Sequence, residues 1–196
     1  MLLQPAAEET AGESAGQTWT DTGVGEPDGL TRLWAPYRMG YIKKRPPQGS
    51  GQPHEPFVEA PKMSDEDALI VARGELVYAI LNLYPYNAGH LMVIPYRQVA
   101  DLEDLAAEEM TELMSFVTTA VKVLKKVSRP EGINVGFNLG KASGGSVGNH
   151  LHMHVVPRWP GDANFLTILD GTKVLPQLLR DTRVLLADAW VEVARA

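Results

Sequence analysis

Residues 150 to 156 read His-Leu-His-Met-His-Val-Val. Imidazole and apolar side chains alternate there without a break, and successive side chains of a β-strand leave on opposite faces. The spacing therefore predicts a strand with Leu151, Met153 and Val155 in a core and His150, His152 and His154 together on the other face. One buried histidine is readily satisfied. Three on one face each require polar partners, and such a cluster points to chemistry rather than packing.

Two chemistries fit three imidazoles on a strand. His-x-His is a common way to chelate zinc, although no Asp, Glu or further His lies nearby in the sequence. The other is nucleophilic catalysis at phosphorus, for which a neutral imidazole is well suited near neutral pH. The surroundings favour phosphorus. Lys141-Ala-Ser-Gly-Gly-Ser146 lies just upstream and offers hydroxyls and unobstructed backbone N–H groups, a suitable nest for phosphate oxygens. Asn138 and Gly140 end the preceding expected strand, where a polar side chain meets a ligand. Arg158 follows the histidines and Arg97 follows another strand pair. Each reads equally well as a phosphate ligand or as a solvated charge at a strand end.

The chain of 196 residues has room for one domain and some excess. Residues 1–29 hold Glu8, Glu9, Glu13, Asp21, Glu26 and Asp28 and no Lys or Arg, so this stretch alone accounts for the net charge of −6. Its composition predicts a disordered acidic tail. The remainder is balanced, which admits a phosphate site but argues against a broad basic surface for nucleic acid. Residues 30–63 read as an N-terminal arm, with Leu30, Leu33, Trp34 and Tyr37 at helical spacing, followed by a Pro-rich loop from 43 to 62. Residues 64–196 read as the catalytic domain. The absence of cysteine excludes disulfides and thiolate sites and suits a reducing compartment. No secretory leader and no apolar run of 18 residues is visible, so the expectation is a cytoplasmic protein without a membrane partner.

Ser64 and Asp67 form a capping-box-like start for a short helix to Arg73. Strands are expected at Glu75–Leu83, His90–Pro95, Asn134–Leu139 and Asn149–Val156, with Phe165–Leu169 as a fifth. The first two are too closely joined for a crossover and should pair antiparallel. A helix over Ala107–Val127 carries the stripe Met110, Leu113, Met114, Val117, Val121 and Leu124. A second helix over Leu175–Val193 turns Leu175, Leu178, Leu179, Leu186, Trp190 and Val193 inward. The fold class is α+β, an antiparallel sheet with helices on one face.

The heptapeptide matches the His-φ-His-φ-His-φ-φ motif, φ being apolar, and so resembles the histidine-triad (HIT) superfamily. A second block, Asn82-Leu-Tyr-Pro-Tyr-Asn-Ala-Gly-His90-Leu-Met-Val-Ile-Pro95, is similar to the family's upstream block. Residues 154–165, through Arg158, Trp159, Gly161, Asp162 and Asn164, look like the dinucleoside-polyphosphate branch, most like bacterial diadenosine tetraphosphate phosphorylases. The resemblance implies a HIT-like sheet in which His152 attacks the α-phosphorus of a dinucleoside polyphosphate and carries AMP. The His150 carbonyl would fix the His152 tautomer. His150, His154 and His90 would hold or neutralise the reacting phosphate. Asn138 and Ser146 would donate hydrogen bonds, Gly140 and Gly145 would complete the phosphate site, and Asn82 would hold the nucleoside. Inorganic phosphate as acceptor yields ADP and ATP, and water yields AMP and ATP. A nucleotide-binding regulator is the remaining alternative. No resident cofactor or metal is implied, Mg²⁺ being admitted as a companion of the polyphosphate, and the family commonly forms homodimers.

Overall fold

The computed structural model describes residues 55–143, 147–162 and 177–195. The expected acidic tail, the helical spacing at 30–42, most of the Pro-rich loop, the strand at 165–169, and Gly145, Ser146 and Leu175 lie outside the described residues.

Five antiparallel strands form one sheet: β1 (Ile70–Arg73), β2 (Val77–Leu81), β3 (Leu91–Pro95), β4 (Gly132–Phe137) and β5 (Met153–Arg158), in the order β1-β2-β3-β5-β4. The β2–β3 connection is a tight polar turn. The Asn82 side-chain oxygen accepts from the Tyr84 N–H (2.9 Å), and the Asn87 carbonyl accepts from the His90 N–H (3.1 Å). Gly89 adopts φ +82°, and a Cβ there would lie 3.2 Å from Leu124, so both conformation and space call for glycine.

Helix α1 (Ala107–Ser128) crosses β2, β3 and β5. By the strand register, Ala79 and Leu81 of β2, Leu91 and Val93 of β3, and Met153 and Val155 of β5 share one face. All six are buried, as are Leu113, Val117, Ala120, Val123 and Leu124 of the helix. Met114, expected in the stripe, is 44% exposed. The buried stripe is turned toward Ala120 and Val123 because a second helix also claims α1. That helix, α2 (Leu179–Ala194), packs on α1 and β1, with Phe116 and Trp190 rings 5.3 Å apart and a Lys126–Glu192 ion pair at the rim. Leu178 lies before its first turn and is 74% exposed, contrary to the inward placement expected.

The expected helix from Ser64 to Arg73 is only one turn long. Ser64 Oγ does accept from the Asp67 N–H (3.1 Å), but Leu69 enters the left-handed region at φ 64° and ends the helix. Ile70–Arg73 then extends as β1, an additional strand at the sheet's edge. Burial decides this outcome, since Ile70 is fully buried and β-branched Ile and Val fit a pleated surface.

Strand ends are also trimmed. The N–H groups of Glu75 and Leu76 bond the Glu112 carboxylate (2.8 and 2.7 Å), not a neighbouring strand, so β2 begins at Val77. Residues Pro56–Glu59 and Ala60–Lys62, read as the end of a loop, are helical and bury Phe57 and Ala60 in the core. The Tyr78 hydroxyl donates to the Phe57 carbonyl (2.7 Å) and ties this segment to β2. Among the described residues no helix is long and apolar enough to cross a membrane.

Candidate active site

The regular ladder of β5 starts at Met153, three residues beyond the first triad histidine. Upstream of it the Leu151 N–H donates to the Val99 carbonyl (2.6 Å). Leu151, Met153 and Val155 are buried, and so are His150, His152 and His154 between them, so both sets are covered. His154 sits on the opposite face of the sheet, between Met92 of β3 and Gly136 of β4. A side chain at Gly136 would meet nothing within 4 Å, so open space adjoins His154 on that side.

The imidazoles form one cluster. Ring centroids of His152 and His154 are 4.9 Å apart and those of His90 and His154 5.1 Å apart. Phe57 closes the cluster from the N-terminal segment, 5.7 Å from His150 and 5.0 Å from His152. Tyr86 covers the other end, 4.6 Å from His90 and 5.8 Å from His154.

Hydrogen bonds set the protons. Nδ1 of His152 lies 2.8 Å from its neighbour's carbonyl, His150 O. A carbonyl only accepts, so Nδ1 carries the proton and Nε2 keeps its lone pair. Among the described residues Nε2 has no hydrogen-bond partner. His150 donates from Nε2 to the Pro95 carbonyl (2.8 Å), and its buried Nδ1 has no partner among the described residues. His90 is fully buried, and both of its ring nitrogens are engaged: Nδ1 accepts from the Tyr86 N–H (3.1 Å) and Nε2 lies 2.9 Å from His154 Nδ1. The Asn82 amide lies 3.4 Å from His90 Nδ1, and the Asn138 amide 3.1 Å from His154 Nε2.

Burial disfavours the cationic form of every ring in the cluster. Desolvation first, then the neighbouring His154 and His152, brings His90 down to about 3. Desolvation and His152 bring His154 to about 4. His150 and His152 are also lowered, chiefly by desolvation, against the pull of their carbonyl partners. At neutral pH the cluster is thus four neutral imidazoles, and among the described residues two lone pairs are unengaged, that of His150 Nδ1, which is buried, and that of His152 Nε2.

A cavity of about 410 Å³ opens beside His154 and runs along β4 and β5, lined among others by Tyr86, Asn134, Gly136, Asn138 and Arg158. Arg158 is held in place by Asp162, which accepts from Nε (2.6 Å) and Nη2 (3.0 Å), and by Asn134, which accepts from Nη1 (2.9 Å). Asn87 and the Trp159 N–H also donate to Asp162, and these contacts, Arg158 above all, hold its carboxyl well below the ordinary range. Arg97 is placed differently. It bonds Glu109 and the Asp104 carbonyl and does not line this cavity.

The structure thus gathers His90, His150, His152, His154, Asn82 and Asn138 around one point. Gly140, at φ +72°, follows Asn138 as the chain turns out of β4. Sequence reasoning passed over Phe57, which lies in a Pro-rich stretch with no periodicity, and assigned Tyr86 and Asn87 only to a turn. Among the described residues no group of three His, Asp or Glu side chains is placed to hold a metal ion. What the arrangement offers is an oriented neutral imidazole, His152, in ring contact with His154, which lines the cavity together with Asn138.

The profile of the HIT domain matches residues 64–161. A Mycobacterium tuberculosis protein named AP-4-A phosphorylase is 62% identical over 174 residues, covering 87% of this chain and 89% of that one. A Schizosaccharomyces pombe bis(5'-nucleosyl)-tetraphosphatase (asymmetrical) is 38% identical over 90 residues, 46% of this chain and 49% of its own. Among solved structures, a Zn-bound histidine triad family protein from Mycobacterium smegmatis superposes with a TM-score of 0.54 at 26% identity, over 65% of this chain and 86% of that one.

Proposed function

The chain belongs to the HIT domain family, and from that premise we propose that it is a nucleotidyltransferase that cleaves diadenosine tetraphosphate with inorganic phosphate as the acceptor. The supporting observation is the His152 tautomer: Nδ1–H is fixed on the His150 carbonyl (2.8 Å), and Nε2 is unprotonated and has no partner among the described residues. The 62% identical relative named AP-4-A phosphorylase supports this choice of substrate and acceptor.

In this reading Nε2 of His152 attacks the α-phosphorus. The bond from that phosphorus to the bridging oxygen breaks, and ATP leaves. A phosphate oxygen then attacks the same phosphorus, the P–N bond breaks, and ADP departs with His152 neutral again. Splitting one displacement into two is the gain of covalent catalysis. The Asn138 amide and the backbone of the loop at Gly140, Gly145 and Ser146 supply donors to the phosphoryl oxygens, and Asn82 holds the nucleoside. The four imidazoles carry no formal charge at pH 7, so Mg²⁺ is proposed to travel with the polyphosphate, while the transfer itself draws on no resident cofactor.

Two further proposals accompany this one. Among the described residues strand β4 is an edge strand, with one side unpaired and Val135 42% exposed, which supports a homodimer formed along it. A cytoplasmic setting suits a cysteine-free chain acting on nucleotides.

Incubation with diadenosine tetraphosphate, with and without phosphate, tests the reaction. Phosphate-dependent ADP plus ATP is expected. AMP plus ATP regardless of phosphate would mean a hydrolase, and binding without product a regulator; either result defeats the proposal.

A further inference from the structure

The hydrogen bonds around His90 form a directed chain. A backbone N–H can only donate, so the Tyr86 N–H (3.1 Å) makes His90 Nδ1 an acceptor. The Asn82 amide, 3.4 Å away, reaches the same lone pair. A neutral imidazole has one N–H, so that of His90 is on Nε2. It points at His154 Nδ1, 2.9 Å away, which must then be the acceptor. The proton of His154 is thereby confined to Nε2. The atom of Asn138 placed 3.1 Å from that nitrogen is its amide Nδ2. Two donors facing each other make no bond, so the hydrogen-bond chain assigns the amide a half-turn that puts its oxygen on the ring N–H. That half-turn directs the amino group away from His154, toward the cavity that Asn138 lines.

We propose that His90 is a positioning residue that never touches substrate: through the His154 tautomer it turns the Asn138 amide so that an N–H donor, and not a carbonyl oxygen, faces the phosphoryl group. With the opposite tautomer of His154, Asn138 would present its oxygen to a polyanion. Full burial of His90 and the engagement of both its nitrogens exclude direct phosphate contact in this arrangement. Its sequence position beside the site therefore reflects an indirect task. The reasoning extends the proposed reaction, but the tautomer itself is independent of which acceptor is used.

The test is ¹⁵N-histidine labelling of the full chain at neutral pH without nucleotide, read by two-bond ¹⁵N–¹H correlation, with His154 assigned from the signals lost in His154→Gln. The expected pattern is His154 protonated at Nε2 and not at Nδ1. His90→Gln places an acceptor and a donor where the imidazole had them and should keep this pattern. His90→Leu removes both. It should yield a mixture of His154 tautomers and lower the maximal rate roughly 100-fold below His90→Gln, the scale of losing one donor to a developing oxyanion. A proton on His154 Nδ1 in the parent protein overturns the proposal. So does His90→Leu keeping the parent pattern while losing the same rate, which marks a merely structural role. If His90→Leu does not fold, the parent spectrum still decides. A parent spectrum as expected from a protein that forms no ADP would refute the reaction and leave the tautomer standing.

Discussion

Acid should unfold this protein through its histidines before its carboxylates. His90 and His154 lie at about 3 and about 4, against an ordinary 6.5, because both are buried and because neighbouring rings, His154 and His152 for His90 and His152 for His154, oppose a positive charge. Geometry gives the same direction, since a second proton on His90 Nδ1 would face the Tyr86 N–H at 3.1 Å. A lowered folded-state pKa means that the unfolded chain binds more protons than the folded one below 6.5. The corresponding stability is fully present above pH 6.5 and is lost as pH falls toward 4 and then 3. At pH 5 each such ring in the unfolded chain has gained about 1.5 pH units of protonation free energy, or ~2 kcal/mol, while the folded rings are still neutral. This figure holds for any folded pKa well below 5. The pair therefore removes ~4 kcal/mol between pH 7 and pH 5, a large share of the ~5–15 kcal/mol typical of a domain. Urea unfolding at half-unit steps should give a slope of about two protons or more taken up per molecule near pH 5, two from this pair and the rest from His150 and His152, which burial also lowers. His90→Gln, which cannot titrate, should reduce that slope by about one. Stability independent of pH between 6.5 and 5 would refute the picture of buried neutral imidazoles.

Replacing the nucleophile, His152→Ala, should lower turnover of diadenosine tetraphosphate by ~10³-fold or more while nucleotide binding measured by calorimetry largely survives; parent-level turnover would remove His152 from its assigned role. Glu109 accepts from the Ala106 N–H at the start of α1 (2.9 Å) and pairs with Arg97, so Glu109→Ala should cost about 1–3 kcal/mol in chemical denaturation. Glu109→Gln should recover part of that loss, and an unchanged midpoint in the alanine variant would show the contact to be idle. Val135→Lys, on the exposed edge of β4, should shift light-scattering mass from dimer toward monomer, and a parent protein that is monomeric at micromolar concentration would defeat the proposed pairing.

The histidine cluster was legible because three imidazoles spaced by apolar residues require polar partners together. The strand expected over Asn149–Val156 is shifted to Met153–Arg158, and Leu151, Met153 and Val155 are buried along with the three histidines. Helix α1 was legible because its apolar residues recur at period 3.6, although its buried stripe is rotated by the demands of α2. The segment after Ser64 misled because a cap marks where a helix starts and carries no information on where it stops. Leu69 stops it, and the open edge of β2 then claims Ile70–Arg73. Phe57 was invisible for want of any pattern around it. Its place beside His150 and His152 depends on contacts across 93 and 95 positions of sequence.

The two arginines mark the division most clearly. In sequence, Arg97 and Arg158 are each a cation just past a strand. In space one is matched to Glu109 on a helix and the other is held over a cavity by Asp162 and Asn134. The order of residues alone placed three imidazoles at alternate positions with apolar residues between them; the tertiary structure puts only His154 on β5 (Met153–Arg158), with His150 and His152 on the segment leading into it. Nor did the order of residues determine which nitrogen of each ring carries the proton. That depends on whether a donor or an acceptor sits opposite, and for His90, His150 and Asn138 those partners come from other turns and strands. Only the tertiary structure brings them to within 3.1 Å and so assigns the protons.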